Sequence, residues 1–66
     1  MEAQAFDGVK MKMLRHRRFW TQTELAELAD LSLTTIVHLE RGETPSFATW
    51  KRVAEALGVE PSELVA

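Results

Sequence analysis

The side chains with the most scope for chemistry lie in one short segment, "LTTIVHLER", which covers residues 33–41. At about 100° per residue, a helix places five of these residues on a single side. We call them the outward strip: Leu33, Thr34, Val37, His38 and Arg41. Their hydroxyl and imidazole groups can hydrogen-bond base edges, their aliphatic carbons can contact thymine methyl groups, and the guanidinium can reach guanine or phosphate. The strip therefore has the chemistry needed to contact DNA in the major groove.

The same strip could also be ordinary surface, since leucine forms helices well and isolated exposed apolar residues are common. The opposite side of the helix carries Ile36 and Leu39, which we expect to face the core, with Thr35 and Glu40 beside them. A helix that needed only solubility would more often carry glutamate, lysine or glutamine on its outer side. Taken alone, the outward strip fits both interpretations.

The helix that would position the outward strip is one of five with similar starts. Each start has a polar N-cap between two apolar residues, which is the pattern of a hydrophobic staple. The N-caps are Asp7, Thr21, Ser32, Ser46 and Glu60, and the predicted helices cover residues 8–18, 22–29, 33–41, 47–57 and 61–65. Glu24 completes a capping box with Thr21, while Gly42 and Gly58 are expected helix stops. These signals predict an all-α fold, a compact five-helix bundle that forms a single domain.

Only residues 30–32 separate the second predicted helix from the third. So short a connection forces a sharp angle between the two helices, which is the helix-turn-helix arrangement, here at about residues 21–41. Asp30 is expected in the left-handed conformation, which aspartate tolerates better than most residues. Because the outward strip lies on the second helix of this motif, DNA contact becomes the favoured interpretation.

Apolar residues at helical spacing supply the predicted core. They are Met11, Leu14, Trp20, Leu25, Leu28, Ala29, Leu31, Ile36, Leu39, Trp50, Val53, Leu57 and Leu64. The two tryptophans are expected to pack in this core rather than to stack on a cofactor. Residues 1–6, which precede the first helix, are predicted to form an N-terminal tail of the 1–66 domain.

The composition argues against several other classes of protein. There is no cysteine, and two histidines alone do not make a metal site, so neither a metal nor a cofactor is expected. No nucleophile with a partner base is evident, and three glycines are too few for a phosphate-binding loop, so we expect no catalysis. No segment reaches the roughly 20 apolar residues of a membrane span, and no signal peptide precedes the first helix. A cytoplasmic, nucleoid-associated protein without a membrane partner is expected.

The distribution of charge gives a weaker indication of DNA binding. The formal net charge is −2, which is unfavourable for contact with a polyanion. Five basic residues nevertheless crowd the first predicted helix: Lys10, Lys12, Arg15, Arg17 and Arg18. Residues spaced along a helix cannot all face one surface, so most of this cluster is expected to be solvated. Arg18, closest to the second helix, is the best candidate for a phosphate contact, followed by Lys51 and Arg52.

Two longer segments carry a resemblance to a known family. "WTQTELAELADLSLTTIVHLERG" and the following "PSFATWKRVAEALGVEPSEL" are similar to the phage-repressor and Cro-type, or lambda-repressor-like, helix-turn-helix family. The shared features are the hydroxyl-Gln opening, "ELAELA", the serine before the third helix, "LERG" and "ALGV". The resemblance implies a five-helix bundle whose third helix lies in the major groove of double-stranded DNA, used in transcription regulation.

The resemblance also implies roles for individual residues. Leu33, Thr34 and His38 occupy base-reading positions, and Val37 lies between them. Gln22 would touch phosphate and brace a base contact. The predicted contacts to the DNA backbone are Arg18, Thr21, Gln22, Thr23, Arg41, Thr44 and Ser46. Arg15 and Glu40 match an ion pair that joins the first helix to the third, and a carboxylate on the inward side of a helix needs such a partner.

Several residues depart from the family pattern. Leu33 stands where Gln, Arg or Asn is frequent, Phe19 stands where the first helix usually ends in glycine, and Glu43 places a negative charge in a loop that is often basic. The N-terminal "MEAQAF" is no basic arm for the minor groove. These departures keep open a second function, a protein-interaction module that retains the helix-turn-helix and has lost DNA binding.

The oligomeric state is open in the sequence. Natural members of the family commonly dimerise through a further helix or domain, which would give a homodimer on a palindromic site. The chain stops directly after the fifth predicted helix, and its regular caps and unusual groove residues also fit an engineered domain or one isolated from a larger regulator. Such a domain would bind one half-site as a monomer.

Overall fold

The computed structural model describes residues 4–66 as four α-helices followed by one 3-10 helix. The elements are α1 (Gly8–Arg17), α2 (Gln22–Ala29), α3 (Leu33–Glu40), α4 (Phe47–Leu57) and the 3-10 helix Pro61–Leu64. The all-α class is confirmed, but the predicted five-helix bundle is wrong in its last element. Val65 is extended, with φ −82° and ψ 128°, and forms an antiparallel bridge with Phe6, so the chain cannot continue as a helix after Leu64.

The helix starts follow the predicted caps because each cap is a contact within one turn. The Asp7 carboxylate accepts a hydrogen bond from the Lys10 amide at 2.9 Å. The hydroxyls of Ser32 and Ser46 do the same for Thr35 and Thr49, at 3.1 and 3.3 Å. Thr21 and Glu24 form the predicted capping box, with N–H···O distances of 2.9 and 3.1 Å. These bonds satisfy amides that have no partner inside their own helix.

A single buried cluster joins the elements. It contains Phe6, Met11, Leu14, Leu25, Ala26, Ile36, Leu39, Trp50, Val53, Ala54, Leu57 and Leu64, and Ala29 is also buried. Trp20 and Leu31 are half-buried at its edge. The prediction that Leu28 belongs to the core is wrong, since this side chain is 57% exposed. Leu28 lies about 200° around α2 from Ala26, one of the three buried residues of this helix.

The first and third helices approach each other closely at Gly8. A methyl group added at its Cα would lie 2.0 Å from the backbone oxygen of Leu39, far inside any normal contact. Glycine is therefore required for this approach of α1 to α3. The contact holds the Leu39 side of α3 against α1 and leaves the opposite side of α3 facing outward.

The chain segment before α1 differs from the predicted tail. Phe6 is buried and meets Trp50 edge-on, with ring centroids 5.1 Å apart. The amide of Asp7 donates to Leu64 O at 2.7 Å, and the amide of Ala66 donates to Ala5 O at 2.9 Å. These contacts bring the two described ends of the chain together. Residues 1–3 of the predicted tail lie outside the described residues.

Within the described residues, two other than glycine have positive φ, and both follow a helix. Asp30 lies after α2 with φ 56° and ψ 48°, which confirms its predicted left-handed conformation. Phe19 lies after α1 with φ 56° and is 94% exposed, so its ring gains almost nothing from packing. Within residues 4–66, no helix has the length and apolar content of a membrane span.

Candidate nucleic-acid interface

The turn between α2 and α3 has the sharp geometry expected from its length. Left-handed Asp30 reverses the chain, and the amide of Leu31 donates to Ala26 O at 2.8 Å. Arg52 on α4 donates to Asp30 O at 3.3 Å, with its guanidinium 3.9 Å from the Asp30 carboxylate. These contacts fix the turn against α2 and α4.

The outward strip faces solvent as the helical spacing predicts. Leu33 is 46% exposed, Thr34, His38 and Arg41 are also exposed, and Val37 is half-buried. On the other side of α3, Ile36 is fully buried and Leu39 is 3% exposed. The separation of the two sides is confirmed. The roles of Leu33, Thr34, Val37 and His38 in reading bases stay predictions.

A buried ion pair fixes the inner side of α3. The Nε of Arg15 donates to Glu40 Oε2 at 2.6 Å, and its Nη2 donates to Glu40 Oε1 at 3.1 Å. Their side chains are only 8% and 6% exposed. Arg15 also donates from Nη1 to Trp20 O at 2.8 Å. The ion pair implied by the resemblance is thus present, and it links α1, the segment before α2, and α3.

Gln22 extends this polar network toward the first turn of α2. Its amide nitrogen donates to Glu40 Oε1 at 3.1 Å, and the side chain is part-buried. A primary amide carries two hydrogens, so one donor direction of Gln22 is set by Glu40 and the other is suited to an acceptor outside the protein. The contact of Gln22 to phosphate stays a prediction.

The other predicted backbone contacts lie at the start of α2 and before α4. Thr21, Thr23, Thr44 and Ser46 are all exposed. Thr21 and Ser46 use their hydroxyls as N-cap acceptors. Thr44 Oγ1 accepts a hydrogen bond from the Phe6 amide at 3.3 Å. Amides at a helix start favour anions, so these two helix starts are compatible with phosphate contacts.

The structure gives the guanidinium of Arg18 partners inside the protein, which do not favour its predicted phosphate contact. Its guanidinium donates to Leu14 O at 2.9 Å and also to Leu57 O, and it stacks 5.5 Å from the ring centre of Trp20. Leu57 is the last residue of α4, about 16 Å along the helix from Ser46 at the other end. Arg18 therefore binds the carbonyl ends of α1 and α4, away from the two helix starts.

One contact of the outward strip was missed by sequence reasoning. His38 Nδ1 lies 3.0 Å from Glu43 Oε2, with the two side chains 51% and 64% exposed. The amide of Glu43 also donates to His38 O at 3.2 Å. The available signal in the sequence is the spacing of a histidine in the last turn of a helix and a carboxylate five residues later.

Together these features define a class of protein. Helix α3 follows α2 after a tight turn, and the buried pair of Arg15 and Glu40 joins it to α1. Its outward side carries hydrogen-bonding and apolar groups. This arrangement is that of a helix-turn-helix domain. The profile of the helix-turn-helix family matches residues 11–64. The chain belongs to this family.

Three relatives illustrate the similarity. The immunity repressor protein of Bacillus phage phi105 is 41% identical over 59 residues, which are 88% of this chain and 41% of the repressor. The chain thus spans less than half the length of that relative. The restriction-modification controller protein C.AhdI from Aeromonas hydrophila is 33% identical, with a TM-score of 0.81 over 86% of this chain and 88% of C.AhdI. The master regulator for biofilm formation SinR, solved in complex with DNA, is 27% identical, with a TM-score of 0.80 over 86% of this chain and 94% of the SinR chain.

Proposed function

We propose that the chain binds double-stranded DNA sequence-specifically, with α3 in the major groove, and that it serves transcription regulation. The observation that carries this proposal is the outward strip itself. Exposed Thr34 and His38 lie on α3 beside exposed Leu33, while Ile36 and Leu39 hold the other side of the helix in the core. Similarity to a phage immunity repressor and to a regulator solved with DNA supports it.

Phosphate contacts in this proposal come from the two helix starts and from Arg41. Thr21, Gln22 and Thr23 begin α2, and Thr44 and Ser46 precede α4. Arg18 is left out because it binds the carbonyl ends of α1 and α4. Binding to genomic DNA would place the protein at the nucleoid.

Selection from a pool of randomised duplexes tests the proposal, followed by titration of the preferred and a scrambled duplex. Thr34→Ala and His38→Ala are expected to weaken binding to the preferred duplex by roughly 1–3 kcal/mol where each makes a good base contact. Binding to the scrambled duplex should change much less, because phosphates supply that affinity. Met13→Ala on α1, another exposed side chain, serves as the control and should alter neither duplex.

The selected sequence also reports the number of copies bound. A palindrome with half-sites about one helical turn apart would indicate a homodimer. A single half-site would indicate a monomer, and sedimentation of the complex with DNA would check either assignment.

A second function is favoured by the net charge of −2 and by Leu33, an apolar side chain of the outward strip that is 46% exposed. In that case the outward strip contacts a protein. Equal effects of Thr34→Ala and His38→Ala on both duplexes, or no binding of any duplex at low salt, would favour this interaction module over the DNA-binding domain.

A further inference from the structure

The contact between His38 and Glu43 has a chemical consequence for the outward strip. An ionised carboxylate can only accept hydrogen bonds. Glu43 Oε2 lies 3.0 Å from His38 Nδ1, so this nitrogen must carry the hydrogen of the bond. In a neutral imidazole the other nitrogen, Nε2, is then left as an acceptor.

We propose that Glu43 is a positioning residue that fixes the tautomer of His38 and thereby decides which bases His38 can read. This inference rests on the proposed function, because it assumes that His38 faces base edges. With Nε2 as an acceptor, neutral His38 pairs with a donor in the major groove, the N6 amino group of adenine or the N4 amino group of cytosine. The N7 and O6 atoms of guanine, which only accept, are disfavoured.

Two features of the loop make Glu43 suited to this role. Its amide donates to His38 O at 3.2 Å, so backbone and side chain both bind the same residue. Gly42, with φ 105°, turns the chain between them. Both side chains are about half exposed, so the pair lies at the surface where a base edge could be met. The negative charge of Glu43 would repel the phosphates of bound DNA. Setting the tautomer of His38 gives this charge a function.

Glu43→Ala removes the carboxylate and keeps the backbone contact. A neutral histidine without such a partner favours the tautomer with hydrogen on Nε2. His38 Nε2 then becomes a donor, and its preference should move from adenine or cytosine toward guanine. The matched control is Glu55→Ala, which removes the same charge from an exposed position on α4.

The tautomer is measured without DNA. Long-range proton–nitrogen NMR correlations distinguish the two ring nitrogens at about pH 8.5, well above the ordinary pKa of imidazole. Wild type and Glu55→Ala should show hydrogen on Nδ1 of His38, and Glu43→Ala should show it on Nε2. His16 is an internal reference, because its Nε2 lies 3.2 Å from the purely donating Arg15 guanidinium and should keep its signals. Hydrogen on Nε2 in the wild type, or identical His38 spectra in all three proteins, would overturn the proposal.

Base preference is then measured at the same pH by selection from randomised duplexes. The base pair that His38 reads is the position whose preference disappears in His38→Ala. At that position, Glu43→Ala should lower the ratio of adenine or cytosine to guanine by about threefold to tenfold, the range of one hydrogen bond. In the His38→Ala background, adding Glu43→Ala should change nothing at that position. A changed tautomer with an unchanged base preference would also overturn the proposal.

The two measurements separate this inference from the proposed function. If the wild type binds no duplex, the proposed function fails and the base-reading part of the inference fails with it. The NMR spectra still decide by themselves whether Glu43 sets the tautomer of His38.

Discussion

Arg15 and Glu40, which lie 25 residues apart in the chain, form a two-bond ion pair between α1 and α3, at 2.6 and 3.1 Å. Their side chains are more than nine-tenths buried. The remaining donors of Arg15 reach Trp20 O and His16 Nε2, and Gln22 donates to Glu40. One pair therefore fixes α1 against α3 and also orients the first turn of α2.

Removing the carboxylate should expose how much stability depends on this pair. Glu40→Ala leaves the buried Arg15 guanidinium without its counter-charge, so we expect a loss of roughly 3–5 kcal/mol in the free energy of unfolding. That is a large share of the roughly 5–15 kcal/mol that is typical of a domain. Glu55→Ala, at an exposed position, should stay within about 0.5 kcal/mol. Denaturant midpoints measure both, and a loss below about 1 kcal/mol for Glu40→Ala would show that the pair behaves as a surface ion pair.

The chain reversal at Phe19 predicts a stabilising substitution. A side chain with φ 56° is strained by about 1–2 kcal/mol, and the ring of Phe19 is 94% exposed. Phe19→Gly relieves the strain but adds freedom to the unfolded chain, so we expect a net gain of about 0.5–1 kcal/mol. Thermal or denaturant unfolding measures the difference.

The matched control for Phe19 is Phe47, which is also exposed, at 76%, but lies in the first turn of α4. Phe47→Gly should destabilise by about 0.5–1 kcal/mol, because glycine is a poor helix residue. If both substitutions destabilise the protein, the backbone strain assigned to Phe19 is wrong.

What the sequence predicted well is local. The caps at Asp7, Thr21, Ser32 and Ser46 are contacts within one helical turn, so the residues that form them are visible as spacing. The two sides of α3 follow from helical periodicity for the same reason. The left-handed Asp30 followed from the length of the turn and the tolerance of aspartate.

What the sequence did not predict depends on distant packing. Phe6 is buried because it meets Trp50, 44 residues later in the chain, and no local pattern marks that contact. The charge of Arg18 and its place before α2 predict a phosphate contact, whereas its guanidinium donates to Leu57 O at the end of α4. Leu28 was placed in the core by apolar character, although the neighbours of α2 select Ala26 instead.

The salt dependence of DNA binding should reflect the internal partners of Arg18. Few basic side chains remain near the proposed interface, so few counterions are released, and we expect the slope of log K against log salt to be about −3 to −5. Arg41→Ala should make the slope shallower by about 1 and weaken all sequences similarly. Arg17→Ala, an exposed arginine in the last turn of α1, should leave the slope unchanged. A slope near −8 (steeper than these contacts can supply) would show that the α1 cluster binds the DNA backbone.

Leu33 gives a prediction that involves a single methyl group of DNA. If its exposed side chain contacts a thymine in the preferred duplex, Leu33→Ala should lower affinity at that site by about fourfold, as expected for roughly 0.8 kcal/mol per buried carbon group. Replacing that thymine by uracil removes the methyl group and should produce the same loss with the wild-type protein. Combining Leu33→Ala with uracil should then cost little more than either change alone, because both remove the same contact. Leu28→Ala, which truncates an exposed leucine on α2, should bind both duplexes as the wild type does. Additive losses from Leu33→Ala and uracil would mean that Leu33 does not contact the methyl group and that its exposure on α3 has another cause.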